Sequence, residues 1–184
     1  MLDLNFTPFP ALTTARLILR KITMDDAPEL FFMRTDDRVM KYIERPRPKD
    51  ISDTHAFIKL IDEREKEGIL VTWGIALKNE PRLIGTVCYL NIDKENHRSE
   101  LGYALHPDHW RKGIMDEVLE AVINYGFREM KLHSICANIN PENKGSQKLL
   151  EKNGFVREAY FKENFYWEGK FQDSAIYGLL TPLK

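Results

Sequence analysis

The sequence predicts one α+β domain over residues 1–184, a mixed, mostly antiparallel sheet with helices on both faces. Three observations predict it. After one opening strand, apolar residues recur at helical spacing and then change to strand-like runs rich in β-branched and aromatic residues. Three of those runs are joined by short polar turns, which makes them antiparallel neighbours. A fourth follows a long amphipathic helix, and such a crossover returns the chain parallel to the strand it left. No internal repeat, low-complexity tract or linker divides the chain.

Taken in order, residues 16–22 (RLILRKI) read as the first strand. Thr23 caps the next helix, with Asp26 in the capping-box position. Residues 27–34 form this short helix, with Pro28 in the first turn where proline is tolerated. Asp36 and Asp37 start a second short helix reaching Ile43. Residues 44–49 (ERPRPK) cannot be regular, because two prolines remove donors and restrict their neighbours. Residues 52–67 form a third helix, apolar at Ala56, Phe57, Leu60 and Ile61 and ended by Gly68.

Residues 70–77, 83–92 and 99–105 are then strands, separated by turns at 78–81 and 93–98. From Gly113, apolar residues at Ile114, Val118, Leu119, Val122, Ile123 and Phe127 make one buried helix face. Residues 133–139 are the parallel strand. Asn140 and Pro141 open a last helix, as cap and first residue, which runs to Lys152 and ends at Asn153-Gly154. Residues 155–161 and 174–180 are two closing strands around a loop rich in aromatics and acids.

The balance of 27 Lys and Arg against 28 Asp and Glu gives a net charge of −1. That supplies no global pull toward nucleic acid or an anionic membrane. No apolar run is long enough to span a bilayer, and no basic start leads into one, so the expectation is a cytoplasmic protein. Cys88 and Cys136 form no CxxC and lie in apolar runs, which reads as buried free thiols in a reducing compartment. His106 and His109 straddle a proline loop without HExxH context, so no metal is expected. The chain has no GxxxxGK[ST], GxGxxG or GxSxG.

Chemistry concentrates in four places. Trp110, Arg111, Lys112 and Gly113 lie between a strand and a helix. Free N–H groups of the helix's first turn, the dipole, two cations and a glycine without Cβ suit an anionic phosphate. Asp116 and Glu117 in that turn would compete with it unless they point away. Glu100 sits in the strand leading into this loop, either solvated at an edge or, if partly buried, able to act as a base. Asn143 and Ser146, three apart, share one face of the last helix, as a solvated first turn or a donor pair facing a ligand. Finally Phe161, Phe165, Tyr166, Trp167 and Phe171 interleave with Glu163, Glu168 and Asp173. They form a hairpin packing its own aromatics or a wall for a cationic group.

In order and spacing these stretches resemble the GNAT superfamily of N-acetyltransferases, and within it the ribosomal-protein-alanine (RimJ/RimL-like) branch. Residues 12–20 (LTTARLILR) resemble that branch's opening strand, TxRLxLR. Asp26 matches the acid of its first helix, and residues 36–40 (DDRVM) its second. Residues 83–85 (LIG) resemble its glycine-bearing strand, 100–103 (ELGY) its "ElGY", and 110–117 (WRKGIMDE) its "WGKGYATE". Asn143 and Ser146 match "NxxS", with 149–155 (LLEKNGF) next, and Asp173 with 177–180 (YGLL) resembles the closing "D…YxLL". The chain departs at Trp110, where the family has Gln or Arg, at Arg111 in place of a glycine, and at Met115 in place of glycine or alanine.

The resemblance implies a GNAT-like fold with one parallel, splayed strand pair, and acetyl-CoA as cosubstrate without metal. It implies a pyrophosphate loop on Trp110, Arg111, Lys112, Gly113, Ile114 and Met115. The pantetheine arm would lie along the strand near Ala104, Leu105 and His106, with Asn143 contacting it. Glu100 is then the expected general base, acting through a water, and Ser146 the donor near the thioester sulfur. The expected acceptor is a protein N-terminal α-amine, as on a ribosomal protein. The alternatives are a small amine (polyamine, amino sugar or antibiotic) and a non-catalytic acyl-CoA-binding sensor. No direct nucleic-acid or membrane partner is expected, and the late aromatic hairpin is a candidate homodimer surface.

Overall fold

The computed structural model describes residues 1–182. Its strands are β1 (Leu12–Thr13), β2 (Leu17–Lys21), β3 (Val71–Leu77), β4 (Glu80–Asp93), β5 (Arg98–Leu105), β6 (Ser134–Ile139), β7 (Val156–Trp167) and β8 (Lys170–Leu180). They form one sheet in the order β1-β2-β3-β4-β5-β6-β8-β7, antiparallel throughout except for the β5–β6 pair. The helices are α1 (Ala27–Thr35), α2 (Asp37–Met40), α3 (Ile51–Lys66), α4 (Ile114–Arg128) and α5 (Lys144–Lys152). This is the mixed α/β architecture that the turns and the crossover predict. Among the described residues no helix is long and apolar enough to cross a membrane.

Both faces of the sheet are covered, and β3 records it in sequence: six consecutive residues, Val71 to Ala76, are buried. On one face α4 sets Val118, Leu119 and Val122, each fully buried, against Val71, Trp73, Val87 and Leu101. Burying an aliphatic side chain of that size contributes about 1.5–3 kcal/mol. Trp73 stands at the centre of this core, edge-on to Phe9, Tyr89 and Tyr125, with its Nε1 donating to the Pro10 carbonyl at 2.7 Å. Gly126 lets α4 come close, since a Cβ there would lie 2.4 Å from the Tyr89 hydroxyl. On the other face α1, α2 and α3 pack Leu30, Met33, Val39, Ile58 and Ile61 against Ile22 and Leu83.

Local signals explain most boundaries. Asp36 caps α2 and Asp50 caps α3, each side chain accepting from two N–H groups at the start of its helix. Asp26 accepts from the Thr23 N–H at 2.8 Å, and both its oxygens also take the Arg20 guanidinium, at 2.8 and 2.7 Å. Gly68 and Gly154 come after their helices with φ of +65° and +86°.

Three expectations about elements are corrected. The last helix begins at Lys144, not at Asn140-Pro141. The Asn140 side chain accepts from Glu142 N–H within a turn, and Asn143 is the cap, accepting from Ser146 N–H at 3.1 Å. The second short helix stops at Met40, and Ile43 closes a tighter turn back onto the Met40 carbonyl. The late aromatic stretch is a hairpin, and its strands run beyond the expected 155–161 and 174–180. β7 and β8 run as one hairpin to a two-residue turn, Glu168-Gly169, whose φ values of +47° and +81° suit a tight hairpin connection. Cys88 and Cys136 are free but half-buried rather than buried.

Candidate active site

The site begins where the sheet comes apart. β5 and β6 pair at only three positions: Arg98 with Ser134, Ser99 with Ile135 and Glu100 with Cys136. Beyond Glu100 the strands separate, while β6 stays bonded to β8 as far as Ile139 and β5 stays bonded to β4. The His106 N–H donates to the Ile84 carbonyl on the β4 side. Strand alternation therefore turns the backbone of Ala104 toward β4 as well, and that of Tyr103 and Leu105 into the gap. The Leu105 carbonyl is taken by Trp110 Nε1 at 2.7 Å, so Trp110 folds back over the end of β5. The His106 ring stacks on Phe32 of α1 at 4.7 Å, and its Nδ1 accepts from Asp108 N–H.

The loop after β5 ends in two left-handed residues, Arg111 at φ +58° and Gly113 at φ +69°. Alternation of this kind turns successive N–H groups into one concavity that suits an anion. The first helical bond of α4 runs from Glu117 N–H to the Gly113 carbonyl at 3.2 Å. The N–H groups of Ile114, Met115 and Asp116 precede it and have no partner within the helix. The two acids of the first turn are held elsewhere. Asp116 is bound by Lys152 Nζ at 2.5 Å and Asn153 Nδ2 at 3.0 Å, and the lysine holds its pKa below the ordinary range. Glu117 accepts from Thr14 Oγ1 at 2.5 Å, Arg16 N–H at 2.8 Å and Arg16 Nε at 2.6 Å. Burial pushes its pKa up, but those three bonds outweigh it and hold the carboxyl below its ordinary value. Neither acid is free to repel a phosphate. Arg16 Nη1 also donates to the Lys112 carbonyl at 3.0 Å, tying the loop to the start of β2.

Asn143 and Ser146 do come together, through the cap bond at 3.1 Å. Ser146 is buried, and its hydroxyl lies 2.5 Å from the Tyr103 hydroxyl. Burial pushes the Tyr103 phenol up to about 12, so it keeps its proton at neutral pH. Two hydroxyls sharing one hydrogen bond leave one hydrogen to donate outward. Sequence reasoning passed over Tyr103 and over the Thr14–Arg16 anchor, because their partners lie 43 and about 100 positions away.

Glu100 is not part of that cluster. It has the opposite strand parity from Tyr103 and shares the face of Ala104, which packs with α1–α3. Its Oε2 accepts from Asn91 Nδ2 at 2.9 Å. Its position at the last β5–β6 pair sets it at the root of the gap. On this same face the segment after α2, the start of the loop after β6 and the hairpin tip enclose a cleft of about 270 Å³, where Asn140 Nδ2 donates to Glu44 at 3.1 Å. Of the hairpin aromatics, Trp167 lines this cleft and Phe165 stacks on it at 6.4 Å, while Tyr166 packs on Phe171 at 5.0 Å. The hairpin thus packs its own aromatics. Among the described residues no three His, Cys, Asp or Glu side chains gather as a metal site.

The arrangement has three parts: an N–H concavity for an anion, a gap with unpaired strand backbone, and a carboxylate and a hydroxyl pair on opposite faces of that gap. Residues 16–156 match the acetyltransferase (GNAT) domain family. The uncharacterized N-acetyltransferase YoaA of Bacillus subtilis is 33% identical over 174 residues, covering 95% of this chain and 98% of its own. The ribosomal protein uS5-alanine N-acetyltransferase of Escherichia coli is 30% identical over 183 residues, covering 95% and 93%. The solved structure of RimL, a ribosomal L7/L12 α-N-protein acetyltransferase in complex with coenzyme A, superposes with a TM-score of 0.87 over 95% of this chain and all of the other. At 18% identity that likeness speaks for the fold. With the family match covering most of its length, the chain belongs to the GNAT acetyltransferases and is an acetyl-CoA-dependent N-acetyltransferase.

Proposed function

We propose that the chain acetylates the N-terminal α-amine of a protein, of the ribosomal-protein-alanine type, with Glu100 as general base and Ser146 as the group at the leaving sulfur. The observation that carries this reading is the parting of β5 and β6 just beyond Glu100, with the cleft on the Glu100 face and the Tyr103–Ser146 pair on the other. The Escherichia coli relative that acts on uS5 alanine, similar over nearly the full chain, supports the acceptor class.

The residues present fit the cosubstrate. The N–H groups of residues 111–115, with Arg111 and Lys112 beside them, would hold its pyrophosphate. The gap-facing backbone of Tyr103 and Leu105 would pair with its pantetheine arm, near Ala104, His106 and Asn143. When bound, acetyl-CoA supplies an activated thioester acyl group, and transfer forms an amide and releases a thiol.

Each protein group then has one task. The acceptor amine attacks only when neutral. An α-amine, with a pKa of about 8, is far nearer neutrality at pH 7 than a lysine at about 10.4. Glu100, on the face with the cleft, takes the amine's proton through a water. A strand N–H in the gap polarises the thioester carbonyl. The free hydrogen of the Tyr103–Ser146 pair is donated to the departing sulfur.

The test is free-thiol release from acetyl-CoA with peptides bearing Ala or Ser N-termini, spermidine and several aminoglycosides. Turnover on the peptides is expected. Turnover confined to a small amine would overturn the acceptor class, and binding of acetyl-CoA with no turnover on any amine would overturn catalysis.

A further inference from the structure

The cleft on the Glu100 face has an uneven charge. Its lining brings Lys41, Arg45, Arg47 and Lys170 against Glu44 and Glu168, in a chain whose total charge is −1. The excess is therefore local. Part of it is compensated: Arg47 Nη1 lies 2.6 Å from Asp37 and also donates to the Thr35 carbonyl. Glu44 accepts from the neutral Asn140 amide and keeps its charge, so the lining holds four cations against two carboxylates. Lys41 rests over the Tyr42 ring at 5.0 Å. Among the described residues, Lys41, Arg45 and Lys170 have no carboxylate within 4.0 Å.

Their positions matter as much as their number. Arg45 follows Glu44, which is bonded to Asn140 just past the end of β6, so it stands on the side of the cleft toward the gap. Lys170 stands at the hairpin tip, paired with Trp167. A chain leaving the gap on the Glu100 face passes one unpaired cation and then another. A polyamine or a basic peptide would meet like charge along that path; an acidic segment would meet opposite charge.

We propose that the acceptor amine is carried on an acidic segment, with Asp or Glu among the first residues behind the N-terminus, read by Arg45, Lys170 and Lys41. This rests on the N-terminal acetylation reading and names the class of N-terminus it selects. Surface charges of this kind tune affinity and encounter more than the chemical step, so the effect belongs in KM rather than kcat.

The experiment uses three peptides with the same N-terminal Ser, continued by Asp and Glu, by Gln and Asn, or by Lys and Arg. Turnover is measured by thiol release at low and high salt, and binding to the CoA-loaded enzyme separately by calorimetry. Three cations acting together should favour the acidic over the basic peptide by about tenfold or more in kcat/KM at low salt. Near 1 M salt, where the Debye length is about 3 Å, the preference should collapse. The double substitution Arg45→Glu and Lys170→Glu should reverse the order, and Arg45→Gln with Lys170→Gln should flatten it. Equal kcat/KM for all three peptides, or a preference for the basic one in the wild type, overturns the proposal and leaves N-terminal acetylation standing. Preferential binding of the acidic peptide without its acetylation upholds the cleft's selection of an acidic segment but overturns the acetylation reading, and with it the segment's role as acceptor. Neither binding nor turnover with any of the three overturns both.

Discussion

Gly113 gives the sharpest test of the anion site, because its substitution separates conformational from steric effects. It caps α4 at φ +69°, where an L side chain is disfavoured by about 1–2 kcal/mol. Space is not the obstacle: a Cβ built there meets only Arg16 Nη2, at 3.7 Å. Gly113→Ala should therefore cost about 1–2 kcal/mol, or about 2–8 °C in Tm for a chain of this size. It should also weaken acetyl-CoA binding, since a Cβ and a shifted backbone would stand in the loop proposed to hold the phosphate. The control is Gly126→Ala, far from that loop. Its Cβ would lie 2.4 Å from the hydroxyl of Tyr89, which is fully buried and donates to the Val122 carbonyl. Overpacking there should cost about 1–3 kcal/mol, offset by about 1 kcal/mol of helix propensity. Both variants should melt earlier in calorimetric scans. Titration calorimetry with acetyl-CoA should show at least a tenfold weaker Kd for Gly113→Ala and an unchanged one for Gly126→Ala. Equal affinity in the two would refute the assignment of the phosphate to this loop.

Two further outcomes concern buried groups. Glu65 is buried on α3, with Oε1 accepting from Thr72 N–H at 3.0 Å, Oε2 without a hydrogen bond and Lys21 no nearer than 4.0 Å. Burial raises its pKa above the ordinary carboxyl value of about 4.3. The folded state therefore holds this proton more tightly, so its contribution is complete below about pH 4.3 and is lost as pH rises through the folded value. Glu65→Gln should remove that loss, leaving stability in urea at pH 8 equal to or above wild type; a variant less stable at pH 8 than at pH 4.5, relative to wild type, would contradict it. Tyr103→Phe takes away one hydroxyl and leaves the buried Ser146 Oγ without its partner. It should lower kcat with little change in the KM for acetyl-CoA and cost about 1 kcal/mol of stability. An unchanged kcat would reduce the pair to packing.

The sheet was legible where neighbours in sequence are neighbours in space. The short turns between β3, β4 and β5 and the single apolar face of α4 are local statements, and the parallel β6 comes from the crossover. Errors arose where two local signals were equally good. Asn140 and Asn143 both cap an N–H two or three residues on, and only the packing of Ser146 and Leu150 decides which of them starts α5. The extent of the hairpin strands is not legible because β7 is exposed along almost its whole length, so no inside–outside alternation marks where it ends. Within the candidate site, the loop at residues 110–115 is proposed from a strand, two cations, a glycine and a helix. What makes it usable could not be read: the acids at 116 and 117 are neutralised by Lys152 and Arg16, the latter 101 positions away. The pairing of Tyr103 with Ser146, and the placing of Glu100 on the opposite face, likewise exist only once the sheet is built.

The role proposed for Glu100 is to relieve the acceptor amine of its proton at the root of the gap. It is tested most directly by comparing wild type with Glu100→Gln in thiol release on an N-terminal Ala or Ser peptide across pH, with acetyl-CoA affinity measured in parallel. Loss of the base should lower kcat by about 10²–10⁴-fold near neutrality. The deficit should narrow as pH rises past about 8 and the α-amine deprotonates unaided, with Kd for acetyl-CoA unchanged. A kcat in Glu100→Gln equal to wild type at neutral pH would contradict the account.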